Sequence, residues 1–225
     1  MVDMTDRMLD NWLASVASAT PGPGAGAVGA MSIAMGAALA EKAAAVTLTR
    51  FKPTEPTVTS HEQILTSARE EALQLRNRAV ELADKEAIAF VAVTTAYRLP
   101  QRDNAEKAIR AEQLREATLR CVELPPHIAA VAAELVRLVE RMVDSVNLHV
   151  LGIVATAVTA ARAGLESAAD SMRVDVMTMS SHDIGLQPGE ADAQLAAADA
   201  GITAAEAAID LVRQRMAAES ARSQG

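Results

Sequence analysis

One carboxylate interrupts an apolar helical stripe in this sequence and is the first residue that could do chemistry. The stripe comprises Ala79, Leu82, Glu86, Phe90, Val93 and Tyr97, spaced by three or four residues as on one face of a helix. A carboxylate on a buried helix face is costly unless it is paired, solvated in a cleft or functional. Glu86 is therefore the first catalytic candidate, and a structural salt bridge with an arginine from another helix is the alternative.

Three further polar residues lie at the borders of apolar runs. Asn147 and His149 precede a second small, uncharged run from Val150 to Ala161 and are also catalytic candidates, although a lone histidine in such a position is more often an ordinary core residue. Asp175 follows another apolar run and is a substrate-binding candidate, with a solvated helix end as the alternative. Histidines and acids show no spacing typical of a metal site, so we predict no metal.

A Pro/Gly-rich elbow, residues 21–26, opens directly into an uncharged run of small residues. Proline fixes the entry, and glycine lets a backbone or a ligand approach closely. Backbone amides at a helix N-terminus can also hold an anion or a carbonyl. The elbow is therefore a candidate binding site. The predicted substrate-binding residues are Pro23, Gly24 and Gly26 in the elbow, Arg50 and Lys52 beyond the following helix, Tyr97 at the end of the apolar stripe, and Asp175.

The composition predicts an all-α fold that positions these residues. Among 225 residues half are hydrophobic, yet only four are aromatic, and alanine, the best helix former, supplies much of the core. We predict a multihelical array in a single domain over residues 1–216, followed by a flexible tail at 217–225. Two Gly/Ala-rich helices, from about Gly26 and from about Val150, are predicted to be buried at its centre. A last helix carries an apolar seam from Leu195 to Met216 that requires a partner helix, in the same protomer or across a dimer.

Charge and cysteine content exclude several classes of protein. The net charge of −8, without a basic cluster, argues against nucleic acid as a partner. Cys121 is the only cysteine, so no internal disulfide forms, which favours a reducing, cytoplasmic location. The run Ala25–Ala40 is shorter than the roughly 20 apolar residues of a membrane span, so we predict no membrane association.

Three segments, in this order, resemble the cyclodeaminase/cyclohydrolase family, which includes methenyltetrahydrofolate cyclohydrolase and the cyclodeaminase part of formiminotransferase-cyclodeaminase. The first is the elbow with the small-residue helix after it. The second is the segment 83–90 with its continuation to Pro100, in which Glu86 stands where the family usually carries aspartate. The third comprises Glu106-Lys107, Arg110, Glu116-Ala117 and Pro125. The order and spacing hold over most of the chain.

The resemblance implies a homodimeric helical array with a tetrahydrofolate derivative bound near the protomer interface as a small-molecule substrate, and no tightly bound cofactor. It implies an enzyme that hydrolyses the cationic methenyl bridge, or cyclises a formimino group with release of ammonia. Both reactions handle an amidinium-like carbon, which a buried carboxylate would stabilise. Glu86 suits that electrostatic role, and the elbow could position the pterin or the one-carbon unit.

Two positions depart from the family pattern. The family places a Ser-Asp pair where this chain has Gly152-Ile153, and its two-asparagine motif appears here as residues 171–175, ending in Asp175. The departures keep two alternatives open. One is a repurposed enzyme acting on another imine, amidine or cyclic amine in specialised metabolism. The other is a non-catalytic module that binds folate or a partner.

Overall fold

The computed structural model describes residues 7–50, 60–181 and 188–222, and these residues form helices and no strand. The helices are α1 (Arg7–Val16), α2 (Ala25–Leu48), α3 (Ser60–Tyr97), α4 (Asn104–Val122), α5 (Leu124–Met142), α6 (Leu151–Ser181) and α7 (Pro188–Arg222), with a 3₁₀ turn at Leu148–Val150 before α6. The all-α prediction is confirmed. The Asp103 side chain caps α4 by accepting a hydrogen bond from the Glu106 amide, and the prolines after Leu124 lie in the first turn of α5, where no amide donor is needed.

The two Gly/Ala-rich helices, α2 and α6, form the centre and pack directly against each other. Glycines make the close approach possible. A β-carbon on Gly36 would lie 2.7 Å from the carbonyl oxygen of Ala157, and one on Gly164 would lie 2.3 Å from Cγ1 of Ile33. Helix α3 covers α2, while α5 and α7 cover α6. The predicted pair of central small-residue helices is thus present.

Within the protomer, one face of α2 remains open. Val28 and Met35 of α2 are 41% and 58% exposed. Helix α2 and the helix from Leu148 to Met179 are long and apolar enough to cross a membrane. The core helices of soluble proteins meet the same criterion of length and composition. Both helices contribute to one hydrophobic core within the described residues.

The apolar seam of α7 finds its partner inside the protomer. Helix α7 packs against α6 and α5, and Ala198, Ala205 and Val212 of the seam are buried. The seam therefore gives no argument for a dimer. The helix also continues to Arg222, past the predicted boundary at Met216.

Helix α3 leaves the core at Glu86. Ala79, Ala83 and Glu86 are buried, whereas Phe90 and Tyr97 are 39% and 41% exposed. The stripe predicted to be internal as far as Tyr97 is therefore internal only to Glu86, because α3 and α4 extend beyond the helices that cover the first half of α3. Glu86 consequently lies at the edge of the core, beside an open pocket.

Candidate active site

The Glu86 carboxylate occupies the amino end of α2. A β-carbon on Gly26 would lie 2.8 Å from Oε1 of Glu86, and one on Gly24 would lie 3.5 Å from it. The backbone amides of Gly24, Gly26 and Ala27 lie next to this carboxylate and favour its charged form. The positive end of the helix dipole favours a negative charge at this position. At the elbow, the amino end of α2 thus faces a carboxylate of the protein itself.

The second oxygen of Glu86, Oε2, has no partner among the described residues. The residue is only 8% exposed, and within the described part of the chain its Oε2 accepts no hydrogen bond. Burial raises the pKa of Glu86, and the three backbone amides oppose that rise. No salt bridge to Glu86 occurs among residues 7–50, 60–181 and 188–222, which disfavours the structural ion-pair alternative. An unpartnered, buried carboxylate oxygen requires an explanation, and a ligand is one.

A cavity of about 570 Å³ adjoins Glu86. Its walls are Gly24, Ala25, Gly26, Glu86, Phe90, Cys121, Pro125, Ser167, Asp170, Ser171, Val174 and Asp175. Among these described wall residues there are three acids and no lysine, arginine or histidine. Asp170 forms a salt bridge with Arg173 at 2.9 Å, and Arg173 also binds Asp199 at 2.8 Å. The cavity is thus left with two uncompensated carboxyl groups, those of Glu86 and Asp175.

Two groups in this cavity have raised pKa values, because they are buried and because carboxylates lie nearby. Burial, followed by the charge of Glu86, raises the pKa of Asp175 to about 6. Burial, followed by the charges of Asp175 and Glu86, raises the pKa of the Cys121 thiol to about 12. The thiol therefore stays protonated at neutral pH and is no nucleophile. A cation bound in the cavity would relieve the repulsion between the two carboxylates.

Asn147 and His149 are not part of this cavity. The Asn147 amide donates to Oγ1 of Thr47 at 3.0 Å, and its side chain accepts from the His149 amide at 2.9 Å, capping the 3₁₀ turn. Thr47 lies near the carboxyl end of α2 and Gly24 at its amino end, separated by roughly 35 Å at 1.5 Å per residue. Within one protomer the structure therefore does not bring Asn147 and His149 to Glu86.

The other predicted residues divide between the two ends of α2. Gly24, Gly26 and Asp175 line the cavity, and Pro23 lines a neighbouring one beside Gly24. Arg50 follows the carboxyl end of α2, and Gly152-Ile153 begins α6 at that same end. Tyr97 lies three turns beyond Glu86, where its ring contacts Arg110. Lys52 lies outside the described residues.

A polar stripe on α6 escaped the sequence analysis. Ser167, Ser171 and Asp175 recur every four residues on one face of that helix, and all three line the cavity. The Ser167 hydroxyl donates to the Ala25 carbonyl oxygen at 2.8 Å, which fixes α6 against the start of α2. The four-residue spacing of Ser167, Ser171 and Asp175 is visible in the sequence, and Asp175 is the one of the three that is predicted to bind substrate.

The described residues contain no group of three or more histidine, cysteine, aspartate or glutamate side chains placed to hold a metal ion.

Comparison with known proteins assigns the chain to a family. The sequence matches the model of the family described as Formiminotransferase-cyclodeaminase over residues 8–185. It is 34% identical over 170 residues to a methenyltetrahydrofolate cyclohydrolase of Methylorubrum extorquens, covering 76% of this chain and 79% of that protein. The fold is similar to the crystal structure of a formiminotetrahydrofolate cyclodeaminase from Thermotoga maritima, with a TM-score of 0.73 and 20% identity, over 93% of this chain and 96% of the other. This chain therefore belongs to the formiminotransferase-cyclodeaminase family.

Proposed function

We propose that this protein is a tetrahydrofolate one-carbon enzyme, acting as a methenyltetrahydrofolate cyclohydrolase or a formiminotetrahydrofolate cyclodeaminase. The single observation that carries the proposal is the buried Glu86 carboxylate, with one oxygen held at the amino end of α2 and the other unpartnered beside an acidic cavity. The similarity to the Methylorubrum extorquens cyclohydrolase supports the folate substrate.

The proposed chemistry follows from charge. In both reactions the reacting carbon lies between two nitrogens and carries a delocalised positive charge. A carboxylate fixed by backbone amides needs no reorganisation to stabilise that charge as the substrate binds and reacts. In hydrolysis, water adds to the carbon and gives up a proton, after which one carbon–nitrogen bond breaks and the departing nitrogen takes a proton. Glu86 supplies the electrostatic part of this sequence.

A second candidate is a repurposed enzyme that acts on another amidine-type cation. Asp175 favours it, because this carboxyl group stands where the resemblance places asparagine and lines the cavity beside Glu86. The third candidate, a non-catalytic module, would also bind a cation here but would not turn it over. A cytoplasmic location and a single domain over residues 1–216 stay predictions.

Assays with the two folates separate these candidates. Purified protein is mixed with methenyltetrahydrofolate or with formiminotetrahydrofolate, and the methenyl chromophore and released ammonia are followed. We expect turnover of at least one of the two, and a loss of about 100-fold in kcat for Glu86→Gln because the charge opposite the reacting carbon is removed. Glu81→Gln is the matched control, since Glu81 is exposed on the same helix and pairs with Lys85. Absence of any acceleration by folded protein would exclude the folate proposal, and unchanged turnover in Glu86→Gln would exclude the role of Glu86.

We also propose that the protein is a homodimer, formed through the open face of α2 and α6. Exposed small residues repeat along α6 at Gly152, Thr156, Thr159 and Ala163, next to the exposed Val28 and Met35 of α2. Short side chains let a second helix pair approach closely, and an identical face on a second copy would bury both.

Helix α1 supports the same arrangement. It is amphipathic, yet it contacts the rest of the described protomer sparsely and leaves Met8, Leu9 and Leu13 79%, 47% and 51% exposed. A cavity bounded by Val16, Val28 and Ala163 places α1 at the edge of the open face. Sedimentation of wild type and Met35→Glu provides the test, with Ile109→Glu on the exposed surface of α4 as control. A monomeric wild type would overturn the proposal.

A further inference from the structure

The two uncompensated carboxyl groups of the cavity come from different helices and face one ligand volume. Glu86 belongs to α3 and Asp175 to α6. We propose that Asp175 is a specificity-determining residue, which with Glu86 makes the cavity prefer a planar cation that carries N–H donors over a cation that carries none. The inference takes the cationic carbon between nitrogens from the proposed function and adds the hydrogen-bonding pattern that the ligand must present.

The first argument is the nature of the acceptors. The Oε2 atom of Glu86 is buried and accepts no hydrogen bond within the described residues. Asp175 adds a second ionisable carboxylate, which only accepts hydrogen bonds, whereas an asparagine would both donate and accept. Among the remaining described wall residues the charged group is Asp170, which Arg173 engages. A ligand that satisfies both carboxylates must therefore be a hydrogen-bond donor as well as a cation.

The second argument is the cost of mismatch. A cation whose nitrogens are fully substituted would neutralise the charge but leave the buried Oε2 of Glu86 without a hydrogen bond. Sites with buried polar groups discriminate strongly against ligands that leave those groups unpaired. An amidinium with a free NH₂ group presents parallel N–H donors, the geometry in which a carboxylate accepts best.

The third argument concerns how protons set the charge of the cavity. The titratable groups around Asp175 are Glu86 on α3, Cys121 on α4, Glu123 at the start of α5, Asp170 on α6 and Glu190 on α7. None of these described residues is a lysine, arginine or histidine, and Asp175 also borders a second cavity of about 180 Å³ lined by Glu123 and Glu190. Because the pKa of Asp175 is raised to about 6, this carboxylate is ionised at pH 7.5 and mostly protonated at pH 5. Donor-bearing cations should therefore bind more weakly at pH 5.

Three simple probes test the preference without any folate. Benzamidinium is a planar cation with N–H donors, phenyltrimethylammonium is a cation without donors, and benzamide has donors but no charge. We expect calorimetry at pH 7.5 to show that benzamidinium binds about tenfold or more tightly than either of the others. Lowering the pH to 5 should weaken benzamidinium binding by about tenfold, since one proton must then leave Asp175.

Asp175→Asn is the decisive variant. It should lose most of the preference for benzamidinium over phenyltrimethylammonium and most of the dependence on pH, while Asp210→Asn, a remote exposed position on α7, should keep both. Thermal unfolding of Asp175→Asn confirms that it folds. Equal affinity of wild type for the three probes, absence of binding, or an unchanged preference in Asp175→Asn would overturn the inference. Because the probes contain no folate, a benzamidinium preference without folate turnover would exclude the proposed substrate alone. Folate turnover with no preference among the probes would exclude this inference alone.

Discussion

Gly26 lies directly against the side chain of Glu86: a β-carbon at Gly26 would be 2.8 Å from Oε1, 2.9 Å from Cγ and 3.0 Å from Cδ of that glutamate. Glu86 can occupy this place only because residue 26 has no side chain. This requirement is separate from the effect of glycine on the path of the chain. Two segments that are far apart in sequence, the elbow and the middle of α3, meet at this contact. It joins the start of the central helix to the group that we propose stabilises the substrate.

The first prediction tests this contact. Gly26→Ala should push the Glu86 carboxylate away from the amides of α2 and lower kcat for the turned-over folate by about 10- to 100-fold, since small misplacements of catalytic groups are costly. Gly22→Ala is the matched control, because Gly22 lies in the same elbow but not in the cavity wall, and the nearest atom to a β-carbon there would be the Ser15 carbonyl oxygen at 3.4 Å. Equal kcat values for the two variants would show that the position of Glu86 is not set by Gly26.

The second prediction concerns stability and pH. The pKa of Asp175 is about 6 in the folded protein and about 4 when unfolded, so the folded state binds more protons between these values and loses stability as pH rises through them. Asp175→Asn should therefore raise the free energy of unfolding at pH 7.5, by about 1–2 kcal/mol after allowance for the partial exposure of Asp175.

The gain should fade as pH falls toward 4, where the wild-type carboxyl group is protonated. Urea unfolding of both proteins at pH 7.5, 6 and 4.5 provides the measurement. A gain that is constant across this range would show that the charge of Asp175 does not cause it.

The third prediction concerns the packing of α2 on α6. Gly36→Ala should lower the free energy of unfolding by about 1–3 kcal/mol, because its β-carbon would meet the Ala157 carbonyl oxygen at 2.7 Å and backbone cannot rotate away as a side chain can. Gly189→Ala, at the start of α7 and outside the proposed dimer face, should leave stability unchanged or raise it by up to about 1 kcal/mol, since nothing lies within 4 Å of its added methyl group. Thermal or urea unfolding compares the two. A Gly36→Ala variant as stable as Gly189→Ala would contradict the close crossing of the helices.

The fourth prediction uses Cys121 as a reporter of the cavity. Its thiol, with a pKa of about 12, should react very slowly with Ellman's reagent at pH 8, because little thiolate is present. Asp175→Asn removes one of the two neighbouring charges that raise this pKa and should speed the reaction by about three- to tenfold. As the only cysteine in the chain, Cys121 gives an unambiguous signal. A rate that does not change on this substitution would show that Asp175 exerts no field at the thiol.

The sequence alone indicated the helical elements and the most important carboxylate. Glycine and proline interrupt the chain just before α2, so its predicted start at about Gly26 agrees with the observed start at Ala25 to within one residue. Glu86 was identifiable because a charge inside an apolar stripe costs free energy unless something compensates for it. The compensation, amides at the amino end of α2, comes from a segment about sixty residues away and could not be read from local spacing.

What the tertiary structure decided was which polar residues share a cavity. Asn147 and His149 are residue types that active sites often use, but they lie near the carboxyl end of α2, whereas Glu86 lies at its amino end. The length of α2 keeps the two ends apart. Asp175 lies beside Glu86, although almost ninety residues separate them, because α6 packs along α2 and presents its polar stripe at the elbow. Periodicity determines which face of a helix a residue occupies. Only the packing of helices determines which faces meet, and here that packing depends on glycines that allow α2 and α6 to touch.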